Sequence, residues 1–351
     1  TETCTLWRAR AWALVSAATW ALAIWVSAYE PLLLFLIATG ITFFVNDQAL
    51  SARPRRAGWI LFAAILAAAL AIEQRVPSFT IFRSSTIFKN WAGTIGELGH
   101  VSPSNPIWLR WCGYFLLITP FLIWMNVRRY GAQGLCAPQV CALLIVTYFL
   151  TIWQARWGYF FVLTFALALP ALLAPIKSGA AVWITFVLSM FPILRDWDER
   201  LWPEEAQLAG RVERRIESAQ IRDLAVSLRS PEVHPFLAPW WLSPSIAYSS
   251  GQPGVAGSSH EGIKGIEESA LFFLSENLQQ AHEILDKSHV AWVFAYDSDR
   301  VAQNSAAILN EPLPPRLFCR VLYRTPSQAP PFLIFSAQTP TCKLYRVAVE
   351  R

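Results

Sequence analysis

Apolar residues fill the first 195 positions in long runs, and polar positions fall in short clusters between them. A membrane span needs about 20 apolar residues, with shorter runs tolerated in a polytopic bundle. The pattern predicts seven spans, over 11–28, 32–46, 57–74, 109–127, 138–153, 157–175 and 179–194. Several are short, so two of them also suit re-entrant or buried segments. From Asp196 the pattern changes. Leu208, Val212, Ile216, Ile221 and Leu224 recur near helical spacing, which predicts an amphipathic helix over 203–228 opened by Pro203, Glu204 and Glu205. A short strand then runs from Phe236 into Trp240-Trp241, and a Gly/Ser-rich turn region covers 249–260. Helices fit 264–275 and 277–287. Val290–Tyr296 reads as a buried strand, and strand-like runs return at 332–335 and 344–349. The expected fold is a multispan α-helical membrane bundle over 1–195 followed by an α/β domain over 196–351, large enough for its own core.

Composition supports this division. Hydrophobic residues make up 54% of the chain and charged residues 15%, whereas a soluble domain carries about a quarter charged. The net charge is +5, but the basic residues sit in short loops beside apolar runs. No long basic run exists, so the pattern argues for a lipid bilayer and against a nucleic-acid partner. Arg8 and Arg10 precede the first span, and Arg53, Arg55 and Arg56 lie between the second and third. Arg128 and Arg129 follow the fourth, and Lys177 follows the sixth. Seven spans put all of these on one side, which is then cytoplasmic. The other side receives the Tyr29-Glu30-Pro31 turn, the 75–108 loop, the Gln154–Arg156 turn and everything after about 195. The C-terminal domain is therefore expected to be extracytoplasmic.

The chain opens on Thr1, with no charged segment, short apolar run and cleavage site in that order. This fits either a piece of a longer chain or loss of an initiator residue. None of the six cysteines has metal-ligand spacing. Cys4, Cys112, Cys136 and Cys141 lie in or beside spans and are expected to pack as small hydrophobes. Cys319 and Cys342 lie in a domain where a disulfide between them is open.

The 75–108 loop exceeds 30 residues, a length uncommon without a function. It carries Arg83, Lys89, Glu97 and His100. Glu97, in Trp91-Ala-Gly-Thr-Ile-Gly-Glu97, is either a carboxylate for chemistry at the membrane surface or an ordinary solvated loop residue. Arg156 is a positive charge in a tight outer turn, against the inside bias. A lipid phosphate would explain it, and so would interfacial snorkelling. Trp240 and Trp241 suit a binding platform, an interfacial aromatic belt or a domain core. His260-Glu261, in a polar turn, is a weaker candidate base. No Ser-His-Asp arrangement, phosphate-binding loop or dinucleotide fingerprint is present.

Thr94-Ile95-Gly96-Glu97 resembles the Thr-Ile-x-Glu motif of oligosaccharyltransferase catalytic subunits, and Pro239-Trp240-Trp241 resembles their Trp-Trp-Asp segment. The downstream order is similar too, with Gly251–Ala256, Ser269–Leu274, Ala281–Lys287 and Val290–Tyr296 in sequence. Ala155-Arg156-Trp157-Gly158-Tyr159 resembles the late-span segment whose Arg faces the carrier's phosphates. The resemblance covers roughly 57–300. It implies a GT-C-like membrane glycosyltransferase that moves a sugar or glycan from a polyprenyl-phosphate carrier to an acceptor protein or glycan. It implies Glu97 as the catalytic carboxylate, acting as metal ligand or acceptor contact, and Arg156 on the phosphate. Thr94, Trp240 and Trp241 fall to the acceptor, and Mg²⁺ or Mn²⁺ is the implied cofactor. Two departures stand out. Leu242 replaces the family's Asp and cannot accept a hydrogen bond. The acidic residues that complete the family's metal site have no counterpart, nor has its later hydroxyl-pocket motif; Asp286-Lys287 comes too early. A same-fold transferase with a non-protein acceptor and a noncatalytic membrane scaffold for envelope assembly remain alternatives.

Cysteines introduced near Ser102 and near Ser250 should both react with a membrane-impermeant reagent added outside. Labelling of one from outside, and of the other only after permeabilisation, rejects this topology.

Overall fold

A computed structural model describes residues 2–27, 29–45, 53–74, 86–130, 138–259 and 262–348. Arg83, Cys136 and the His260-Glu261 pair lie outside the described residues. The chain divides into two compact units, Thr1–Thr80 with His100–Arg200, and Ile81–Gly99 with Leu201–Arg351.

The first unit is helical among its described residues. Helices α1 (Glu2–Val26), α2 (Tyr29–Val45) and α3 (Arg53–Glu73) come first. Helix α4 (Thr86–Gly93) belongs to the second unit. The first unit resumes with α5 (Ile107–Cys112), α6 (Phe115–Tyr130), α7 (Pro138–Trp153), α8 (Gly158–Leu173) and α9 (Gly179–Leu201). Among the described residues, four helical stretches are long and apolar enough to cross a membrane: Leu6–Val26, Arg55–Glu73, Ala155–Leu173 and Gly179–Leu201. Glu30–Phe44 and Val140–Trp153 are shorter apolar helices. Their outer faces leave Ile60, Leu163 and Trp183 at least 60% exposed, a surface suited to hydrocarbon rather than water.

The run predicted over 109–127 is not one helix. It breaks at Gly113, whose φ is +61°, between α5 and α6. Tyr114 N–H donates to Ser189 O of α9 at 2.8 Å, so the break is held by a neighbouring helix. Helix α9 also outruns its expected end near 194. The ion pairs Arg195–Glu199 (3.2 Å) and Arg200–Asp196 (2.8 Å), each one turn apart, support its last turns.

Polar contacts tie the helix ends together. Trp25 donates to Glu73 at 2.8 Å, Ser27 to Glu30 at 2.9 Å, and Val101 N–H to Ile152 O at 3.1 Å. Arg156 pairs with Glu30 at the same end. At the opposite end Arg129 donates to Pro175 O and Asn126 to Ala171 O. There α1 and α3 begin with Arg8, Arg10, Arg55 and Arg56, and Lys177 follows α8. These arginines and Lys177 therefore share one end of this bundle, whereas Arg110, Arg156, Arg195 and Arg200 lie at the other.

The second unit is built from α10 (Glu205–Val226), β1 (Phe236–Leu237), α11 (Ser243–Ser250), α12 (Ile263–Leu274), α13 (Leu278–Lys287) and β2 (Trp292–Tyr296). It continues with α14 (Ser298–Leu309), α15 (Phe318–Arg324), β3 (Leu333–Gln338) and β4 (Cys342–Val347). The sheet order is β1-β2-β4-β3, with β1 parallel to β2 and the other pairs antiparallel. Phe236, Phe272, Phe273, Phe294 and Tyr345 are fully buried in its core. Asn277 and Asp297 cap α13 and α14 through their side chains. Helix α11 occupies part of the stretch read as a Ser/Gly turn and ends at Gly251, where φ is +71°. It leaves Tyr248 exposed beside the buried Ser250, which makes Tyr248 the better labelling position.

The open disulfide is not formed. Cys319 and Cys342 are free and buried, and burial pushes their thiols up to about 11 and about 12. Cys319 Sγ faces Ser298 O at 3.5 Å, so its partner is a helix end rather than the other sulfur.

A Cβ on Gly113 would lie 2.1 Å from Ser189 O, whereas one on Gly40 would meet nothing within 4 Å. Gly113→Ala should therefore lower thermal stability of the full chain in detergent by about 1–3 kcal/mol. Gly40→Ala should leave it unchanged or raise it by up to about 1 kcal/mol. Equal melting of both variants would contradict the packing at this break.

Candidate functional site

The long loop's described end folds onto the second unit. Ile87, Phe88 and Ile95 pack around Trp91, which is 3% exposed, with Ala256, Ile266, Ala270 and Ile308 from the domain. Trp91 and Trp240 meet edge to face, centroids 5.6 Å apart at 78°, a favoured aromatic geometry. Asn90 Nδ2 donates to Ile308 O at 3.0 Å. That carbonyl lies in the last turn of α14, where the helix leaves acceptors unfilled.

Thr94 then ends α4. Its hydroxyl donates to Trp91 O at 2.7 Å, so the side chain closes the helix. Ile95 is extended and packs inward, and Gly96–Leu98 form one turn of 3₁₀ helix. Glu97 lies on that turn, is exposed, and makes no hydrogen bond or ion pair among the described residues. A rigid, buried anchor thus carries a free carboxylate three residues beyond Thr94.

Trp240 and Trp241 lie on a turn in which Leu242 N–H donates to Pro239 O at 2.9 Å. Trp240 Nε1 donates to Asn304 Oδ1 at 2.8 Å. The two indoles meet at 5.8 Å and 86°, and Trp241 meets Tyr296 at 6.5 Å. The Arg300 guanidinium stands 5.5 Å from the Trp241 ring centroid. Arg300 also donates to the Tyr296 hydroxyl at 3.1 Å, which in turn meets the Glu217 carboxylate. Burial, then that carboxylate, pushes the Tyr296 phenol from 10.0 up to about 12, against the opposing Arg300. Both tryptophans are half-buried, so their rings belong to the domain's packing. Leu242 is likewise half-buried and packs on the main core.

Arg156 belongs to the first unit. It lies on a 3₁₀ turn, Ala155–Trp157, and pairs with Glu30 at 3.0 Å. Arg156 Nε is buried without a hydrogen-bond partner, as are Gln154 Oε1 and Trp157 Nε1. The anion facing Arg156 in this structure is therefore the Glu30 carboxylate. Sequence reasoning did not single out Glu30, although it noted its outer turn. An acid in one outer turn and a base in another was the available signal.

Thr94, Glu97, Trp240 and Trp241 thus share one unit, while Arg156 lies in the other. His100 is exposed at the start of the first unit's second segment. Lys287 pairs with Glu268 at 2.9 Å, within the domain's ordinary surface network. Among the described residues no three His, Cys, Asp or Glu side chains are grouped to hold a metal ion. Glu97 alone does not fit a divalent-cation site, which takes several oxygen ligands.

No family model and no curated protein matches the chain. Solved structures from Archaeoglobus fulgidus are similar at low identity. One is the C-terminal globular domain of an oligosaccharyltransferase, with TM-score 0.30 and 14% identity over 36% of this chain and 94% of that one. A second is an oligosaccharyltransferase tethered to an acceptor peptide containing the NVT sequon, with TM-score 0.46 and 12% identity over 77% of this chain. A third is the oligosaccharyltransferase AglB in complex with an inhibitory peptide and a dolichol-phosphate, with TM-score 0.45 and 15% identity over 76% of this chain. This chain spans 37% of the length of each of the last two. The likeness concerns fold alone.

Proposed function

We propose that the chain carries part of a membrane glycosyltransferase that moves a sugar or glycan from a polyprenyl-phosphate carrier to an acceptor on the extracytoplasmic face. The observation that carries this reading is the presentation of Glu97. A free carboxylate stands on a short turn whose anchor, Trp91, is packed against Trp240. Support also comes from the ordered resemblance of 94–97, 239–241, 251–256, 269–274 and 290–296 to the oligosaccharyltransferase pattern. The apolar helices of the first unit fit a bilayer setting.

In such a transfer the bond between sugar C1 and the phosphate oxygen breaks. The acceptor's nitrogen or oxygen bonds to C1, and the acceptor gives up a proton. Glu97 would hold and orient that nucleophile through its carboxylate. Arg156 would offset the charge on the departing phosphate. Its present partner, Glu30, would have to share or yield the guanidinium. Thr94, with its hydroxyl tied to Trp91 O, would fix the Glu97 turn, and the Trp240-Trp241 edge would border the acceptor. A divalent ion, Mg²⁺ or Mn²⁺, would need carboxylates beyond the described residues.

One observation favours a second reading of the acceptor. Leu242 packs on the core where the family's Asp would face an acceptor hydroxyl, which suits a non-protein acceptor.

Glu97→Gln keeps the shape and removes the charge. It should lower transfer by the full-length protein by about 10²–10³-fold without changing its melting temperature. Arg156→Gln should weaken use of the phosphate-linked donor in the same assay. Leu242→Asp separates the acceptors. It should raise transfer to an Asn-x-Thr peptide if the acceptor is a sequon, and leave it flat or reduced if not. Full activity in Glu97→Gln would end the role of Glu97 in transfer, and no transfer by the native full-length protein would leave a membrane scaffold.

A further inference from the structure

Helix α10 carries a groove that the proposed transfer does not use. It has a volume of about 660 Å³ and lies between α10 and the β3–β4 turn at Pro340 and Thr341. Its α10 wall is a stripe of Leu208, Val212 and Ile216, which are 51%, 48% and 52% exposed. They are spaced one helical turn apart, so the stripe runs about 12 Å. Farther along α10 the burial reverses, and Ile221, Leu224 and Ala225 enter the core. The open half of the helix is therefore an apolar face left uncovered, not a whole helix lacking a domain.

Two polar atoms in this groove lack partners. Gln220 Oε1 and Thr341 Oγ1 are both buried from solvent with no hydrogen bond. Native proteins rarely leave such atoms unpaired. The charge lining the groove is negative only, from Glu205, Glu213 and Glu217. Glu217 is engaged by Tyr296, whereas Glu205 and Glu213 make no ion pair among the described residues.

We propose that this groove docks a basic amphipathic segment of a partner protein. Apolar side chains one turn apart would cover the Leu208–Val212–Ile216 stripe, in the manner of a helix laid in a groove. Lysine or arginine beside them would meet Glu205 and Glu213. A membrane surface fits less well, because anionic lipid headgroups would face these carboxylates.

The test uses the full chain in nanodiscs of zwitterionic lipid and a fluorescein-labelled Leu/Lys helical peptide with leucines at i, i+4 and i+8. Anisotropy should show saturable binding that empty nanodiscs lack. A scrambled peptide of the same composition should bind at least about tenfold more weakly. The double variant Glu205→Lys/Glu213→Lys should weaken binding to a similar extent. Both sites are exposed, so the fold should survive. Ala209→Trp, which fills the groove without changing charge, should also abolish binding. Absence of saturable binding, equal binding of the scrambled peptide, or unchanged binding by both variants would overturn the proposal. A photo-crosslinker at Val212 in native membranes adds the occupant's nature. A cross-linked basic amphipathic segment supports the docking site, while adducts only to lipid or to α10 of a second copy overturn it.

Discussion

The contact between Trp91 and Trp240 is the constraint on which the candidate site depends. Helix α4 has only eight residues, too few to hold its shape alone in water. It keeps its fold because Trp91 is buried against the domain and because Asn90 fills a carbonyl at the end of α14. Trp240 is itself fixed by Asn304, which lies on that same helix α14. Two hydrogen bonds and one aromatic edge therefore tie the loop to a single helix. Glu97 gains a defined position from this without being buried.

The first unit is held by different physics. Its helices present apolar surface outward, so hydrophobic burial contributes less to their association than close backbone approach does. Gly58 against Ala13 and Gly113 against Ser189 are such approaches, with no room for a Cβ. The threonines within these helices donate back to their own carbonyls, as Thr147 and Thr151 do, and so satisfy themselves without water. The ionic contacts gather at the helix ends. Glu30 with Arg156 marks one end, and the arginines early in α1 and α3 mark the other. Arg156 thus balances two demands. Its charge needs an anion and its turn must pack at the helix ends, and Glu30 supplies that anion.

Much of this organisation was legible in the sequence because it rests on periodicity. Apolar runs gave the helices of the first unit, and the 203–228 pattern gave α10. The continuous apolar run at 290–296 gave the central strand β2. What the sequence concealed depends on contacts distant along the chain. The break at Gly113 is dictated by Ser189, far along the chain, and an apolar run does not announce it. Helix α11 hid in a Ser-rich stretch because Leu242 at its cap packs into the core, overriding weak helix propensity. Helix α14 has small and polar residues between its few apolar ones, and α15 has only seven residues. Cys319 and Cys342 invited a disulfide by their place in one domain, but both are free thiols buried in its core. The site was legible in part. Thr94, Glu97, Trp240 and Trp241 were identified from motif resemblance, while their assembly into one unit through Trp91 and Asn304 needed the fold. Glu30 escaped notice because an acid before a proline in a short turn is ordinary until its partner is seen.

The most direct test of this account is amide hydrogen exchange over residues 86–99 in the full chain, comparing the native protein with Trp240→Ala. Losing the aromatic edge and the Asn304 bond removes about 1–2 kcal/mol of local docking. Exchange in 86–99 should then rise about tenfold or more, while β2 and β4 keep their protection. Unchanged exchange in 86–99 would mean that the Glu97 turn does not depend on Trp240, and the account of the site would fail.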